Sequence, residues 1–156
     1  MVNIRKQYEE VVVGNRYDLA QAGTHTSTLL NSGIKANQMP ETEAAFVKEN
    51  HIGCCLHYSM YLIALLHQAG VKCYFTTTPE EDGASHCSVL YFDEKGEKYI
   101  ADPVMDVQNG TVDSHMCISY DEFVSKAIRN EISHYDLFGE YGEEAFFGEF
   151  LKSCKL

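Results

Sequence analysis

The sequence predicts an α+β fold in which one buried helix packs on a small antiparallel sheet, with further helices coming from both ends of the chain. Three observations predict it. Between Gly53 and Gly70, the residues Met60, Leu62, Ile63, Leu65, Leu66 and Ala69 recur at three- and four-residue intervals, so apolar surface wraps the helix and little of it can face water. Residues 71–78, 86–92 and 97–102 are short runs rich in β-branched and aromatic side chains, which suit a pleated, half-buried surface. The last two runs are joined by Asp93-Glu94-Lys95-Gly96, a hairpin connection.

The remaining elements follow in chain order. Residues 3–13 mix charge with Ile4, Tyr8 and Val11–Val13 and read as a helix leading to a loop or short strand at Gly14. Residues 15–39, rich in Gly, Ser, Thr and Asn, read as irregular structure or broken short helices. Pro40 marks a helix start, and residues 44–50 continue it toward the central helix. Pro103 ends the third strand because it cannot donate to the ladder. Residues 104–117 read as a loop. Ser119 or Asp121 caps a helix expected to run through Ile132, and residues 143–152 form an amphipathic helix around Phe146, Phe147, Phe150 and Leu151. No repeat or linker divides residues 1–156, which are expected to form one domain with its core at about 41–106.

Charge and composition narrow the function classes. A net charge of -11 opposes binding to nucleic acid or to anionic membranes, both of which need clustered Lys and Arg. No signal-like apolar run opens the chain, and no stretch approaches the roughly 20 apolar residues of a membrane span, so a cytoplasmic location is expected. The six cysteines are expected to be reduced thiols in a chain with aliphatic residues enough for a core, and the adjacent Cys54 and Cys55 cannot bridge without strain. Oligomeric state is not encoded in these features.

Chemistry concentrates at the start of the central helix. The free amide groups and positive dipole end there favour a thiolate over a thiol, so Cys54 or Cys55 is a candidate nucleophile. Folding the hairpin about residues 93–96 brings His86 opposite Asp102 to within one or two residues. Packing the helix on the sheet then sets a cysteine beside His86, in the order nucleophile, base, orienting carboxylate.

Gly53-Cys54-Cys55 at a helix start, Gly70-Val71 at its end, His86 opening a strand and Asp102-Pro103 closing the next resemble the transglutaminase-like branch of the papain-like fold. The resemblance covers roughly residues 50–105. It implies a papain-like/transglutaminase-like core and selects Cys55 over Cys54, since the nucleophile of that superfamily usually follows glycine by two positions. It maps the histidine and aspartate onto His86 and Asp102. It implies a cysteine-dependent acyl-transfer enzyme, a peptidase, amidase or deamidase, or transglutaminase-like, acting on a peptide or protein amide through an acyl-thioester. Family members often carry a tryptophan near the triad, whereas this chain has none.

The backbone amide of Cys55 is the natural first oxyanion-hole donor, with Gln38, Asn50 and Tyr58 as candidates for the second. Glutamine and asparagine before a helix are also plain caps. Two other classes stand beside the enzyme. A catalytically silent peptide- or protein-binding module could use the same fold. A zinc site could draw on Cys54, Cys55, His57, His86 and Cys87, but there is no Cys-x-x-Cys pair and sequence neighbours point in different directions. No metal and no cofactor are therefore expected. Cys73, Cys87, Cys117 and Cys154, and likewise His51, His57 and His67, read as packing or surface residues. The acidic run Glu80-Glu81-Asp82 ahead of His86 either solvates a loop or favours a basic substrate.

Overall fold

A computed structural model describes residues 3–80, 85–112, 118–127 and 131–139. Helix α1 (Arg5–Val12) leads through strand β1 (Arg16–Tyr17) to α2 (Leu19–Asn31). A 3-10 turn (Ala36–Gln38) precedes α3 (Met39–Asn50), which β2 (Ile52–Gly53) joins to α4 (Cys55–Gln68). Then come β3 (Cys73–Pro79), β4 (Ser85–Phe92), β5 (Lys98–Ala101), α5 (Val104–Asn109), β6 (Ile118–Ser119), α6 (Tyr120–Lys126) and β7 (Ser133–Tyr135). The fold is α+β, with a five-stranded antiparallel sheet in the order β6-β5-β4-β3-β7.

Helix α4 is the element around which the core forms. Its residues Leu56 to Ala64 and Leu66 are all buried, with α1 and α3 packed on it as well as β3 and β4. Each fully buried Leu, Ile or Met contributes about 1.5–3 kcal/mol over its exposed state, and α4 alone supplies Leu56, Met60, Leu62, Ile63 and Leu66. Gly70 closes the helix at φ 73°, a conformation that costs a glycine nothing. His51 takes the same left-handed region at φ 58° to turn the chain from α3 toward α4.

The described residues correct several expectations. Within residues 15–39 the chain is less broken than expected: α2 is a continuous 13-residue helix, and the irregular part is confined to its flanks and the 3-10 turn. Asp18 caps it by accepting the Gln21 N–H, and the small buried residues Ala22, Gly23 and Thr26 let it pack closely without an apolar stripe. The expected loop after Pro103 contains α5, which ends on Gly110 at φ 68°. Ser119 does cap α6, through the Glu122 N–H, but the helix stops at Lys126 and not at Ile132. Strand β7 adds an edge to the sheet through Phe75↔Tyr135 and its neighbours. The helix expected at 143–152 lies outside the described residues. Among those described, no helix is long and apolar enough to cross a membrane.

Candidate active site

Two short segments bring the site together at the N-terminus of α4. Strands β1 and β2 pair in parallel, Arg16↔Ile52 and Tyr17↔Gly53, and Asp18 N–H donates to the Gly53 carbonyl at 3.0 Å. This ties the residue after Tyr17 to the residue before the two cysteines. Cys54 is the N-cap of α4 in extended conformation, and Cys55 is its first helical residue. The two thiols remain in contact with each other but have different further partners. Cys54 is fully buried and faces His57, with Sγ 3.3 Å from Nδ1, whereas Cys55 is partly exposed and in hydrogen-bond contact with His86.

The second wall is the β4–β5 hairpin. Its register pairs Val89 with Ala101 and Leu90 with Ile100, which sets Ser88 opposite Asp102 and leaves His86 two residues further along, on the same face. The diagonal is closed by side-chain length: His86 Nε2 lies 2.6 Å from Asp102 Oδ2. Asp102 Oδ1 accepts the Val104 N–H at 3.1 Å, so the carboxylate is held from both sides. Behind it the Tyr8 hydroxyl of α1 lies 3.1 Å from the Asp102 carbonyl and 2.5 Å from Oδ2 of the buried Asp106. His86 and Asp102 are thus in direct contact, and Cys55 at the start of α4 interacts electrostatically with His86.

The electrostatics of the three differ. Burial opposes charge on His86, but the Asp102 carboxylate and the Cys55 sulfur outweigh it and push its pKa up to about 11. For Cys55, contact with Cys54 lowers the thiol pKa, yet the Cys87 thiol and burial outweigh that and the small downward pull of His86, so the net direction is upward. A helix N-terminus alone would move it the other way. Of the groups around Cys55, His86 and Cys54 are the two that pull its pKa down.

The oxyanion-hole candidates fare differently. Gln38 is exposed and its side chain accepts the Lys35 N–H, Asn50 donates to the Phe46 carbonyl of its own helix, and the Tyr58 hydroxyl donates to the Arg16 carbonyl. Asn50 and Tyr58 each donate to a backbone carbonyl, whereas Gln38 is engaged through its acceptor oxygen. The group that does reach the Cys55 backbone amide is the Tyr17 hydroxyl, which accepts its N–H. Sequence reasoning missed Tyr17, because a two-residue parallel bridge leaves no pattern in the chain. Of the acidic run, Glu80 is exposed, and Glu81 and Asp82 lie outside the described residues.

Comparison with family models, with curated proteins and with solved structures finds no match to this chain.

Proposed function

We propose that the protein is a cysteine-dependent acyl-transfer enzyme on a papain-like/transglutaminase-like fold, acting on a peptide or protein amide with Cys55 as nucleophile, His86 as acid and base, and Asp102 as its orienting carboxylate. The observation that carries this is the chain of contacts Cys55–His86–Asp102 at the start of a buried helix. Asp102 holds His86 as an imidazolium, against which the Cys55 thiolate forms. The thiolate attacks the acyl carbon, a C–S bond forms, and the carbonyl electron pair moves onto oxygen, where the Cys55 N–H receives it. Collapse breaks the C–N bond, and the leaving amine takes the proton from His86. Water or a second amine, deprotonated by His86, then releases the acyl group from sulfur.

A silent peptide-binding module on the same fold is the second reading, favoured by the net upward push on the Cys55 thiol. The two separate on one experiment. Incubated with p-nitrophenyl acetate and mapped by mass spectrometry, the enzyme accumulates one acetyl group on Cys55, and neither His86→Ala nor Asp102→Asn does so at a comparable rate. Acetylation spread over all accessible thiols, unaffected by either substitution, supports the silent module.

A further inference from the structure

On the far side of α4 from the triad, three helices direct ligand-type side chains at one point. His25 comes from α2, Glu43 from α3 and His57 from α4, with side-chain exposures of 20%, 0% and 0%. His25 Nδ1 lies 3.1 Å from His57 Nε2 and 3.4 Å from Glu43 Oε1, and His57 Nε2 lies 2.5 Å from Glu43 Oε2. Ligands at the roughly 2.0–2.1 Å typical of zinc–nitrogen bonds stand about 3.3–3.4 Å apart at tetrahedral angles, close to the first two separations.

Two further observations point to a cation. Both Glu43 oxygens are buried, and the polar groups facing them are the two imidazoles. The ring nitrogens and the carboxylate lie within 4.8 Å of one another, with the His57–Glu43 pair closest, so an ion would have to part that pair by a few tenths of an ångström or more. The other ring nitrogen of His57 faces Cys54 Sγ at 3.3 Å, and the tautomer that donates this Nδ1–H to sulfur leaves Nε2 a lone pair aimed at Glu43 and His25. Lone pairs and a buried carboxylate at these separations repel unless a proton or a cation lies between them. His25 is held in orientation by stacking on Phe46, with ring centroids 3.8 Å apart, and its exposed edge gives an ion a route in.

We infer that His25 Nδ1, His57 Nε2 and the Glu43 carboxylate form a binding site for one divalent transition-metal cation of the zinc type, clamping α2, α3 and α4 together behind the cysteine that precedes the nucleophile. The ligand set differs from any cysteine-based zinc site in this chain, since only nitrogen and oxygen coordinate. Its role is independent of the acyl-transfer reading.

The test uses protein stripped with chelator and titrated with Zn2+ by calorimetry and with Co2+ by absorption. One equivalent of each is expected to bind, and Co2+ gives d–d bands without thiolate-to-cobalt charge transfer. Glu43→Gln and His25→Ala each weaken the affinity by at least about tenfold, and Cys55→Ala leaves it within about twofold. His25 is partly exposed, so its replacement serves where Glu43→Gln fails to fold. Absence of saturable binding by the wild type overturns the site. So does unchanged affinity in both variants, or a charge-transfer band showing that thiolates hold the metal.

Discussion

His86 and Asp102 meet on the diagonal of the β4–β5 hairpin: Ser88, not His86, stands opposite Asp102, yet Nε2 and Oδ2 are 2.6 Å apart. Because the offset is two residues, both side chains stay on one face, whereas an offset of one would have separated them. The carboxylate's other oxygen is fixed by the Val104 N–H at the start of α5. Asp102→Asn keeps the shape and removes the charge that sustains the imidazolium. It is expected to lower p-nitrophenyl acetate turnover by about 10²-fold or more while the circular dichroism spectrum is unchanged.

Protonation of His86 is linked to stability. Its folded pKa, about 11, lies above the unfolded value of about 6.5, so the ion pair stabilises the fold fully below pH of about 6.5 and that stabilisation is lost as pH rises toward about 11. The stability gap between wild type and His86→Gln, read from urea midpoints, should therefore shrink steadily from pH 7 to pH 10. A gap that widens with pH contradicts the assignment.

Tyr17 offers a way to separate nucleophile formation from oxyanion stabilisation. Its hydroxyl accepts the Cys55 N–H, and in the proposed mechanism its own O–H would join that N–H in donating to the oxyanion. Alkylation by iodoacetamide creates no oxyanion, whereas ester cleavage does. Tyr17→Phe is expected to slow p-nitrophenyl acetate turnover by about 10²-fold and to leave Cys55 alkylation within about twofold.

Gly53 is required by packing. A Cβ there would lie 2.8 Å from His57 Cβ and 3.1 Å from the Tyr58 ring, and a neighbouring helix backbone cannot retreat cheaply. Gly53→Ala is expected to destabilise the protein by about 1–3 kcal/mol in urea unfolding.

How much of this was legible depends on the kind of signal. The period of α4 and the β-branched and aromatic runs of β4 and β5 are local patterns, and they located the helix that begins at Cys55, the strand that holds His86 and the strand that ends just before Asp102. Helix α2 escaped because close packing of Ala22, Gly23 and Thr26 needs no large apolar residues. Tyr17 escaped because its place depends on a two-residue bridge to Gly53, residues 36 apart in the chain. His57, read as an ordinary helix residue, is fully buried, and its partners His25 and Glu43 come from two other helices that no spacing relates.

The account rests most directly on the coupling of Cys55 to His86, and iodoacetamide labelling at pH 7 with peptide mapping measures it. Cys55 is expected to be the fastest-reacting of the mapped cysteines and to slow by about tenfold or more in His86→Gln, because the imidazolium that favours its thiolate is gone. Equal Cys55 rates in wild type and His86→Gln would show that no thiolate–imidazolium pair forms, and would contradict the proposed acyl-transfer function.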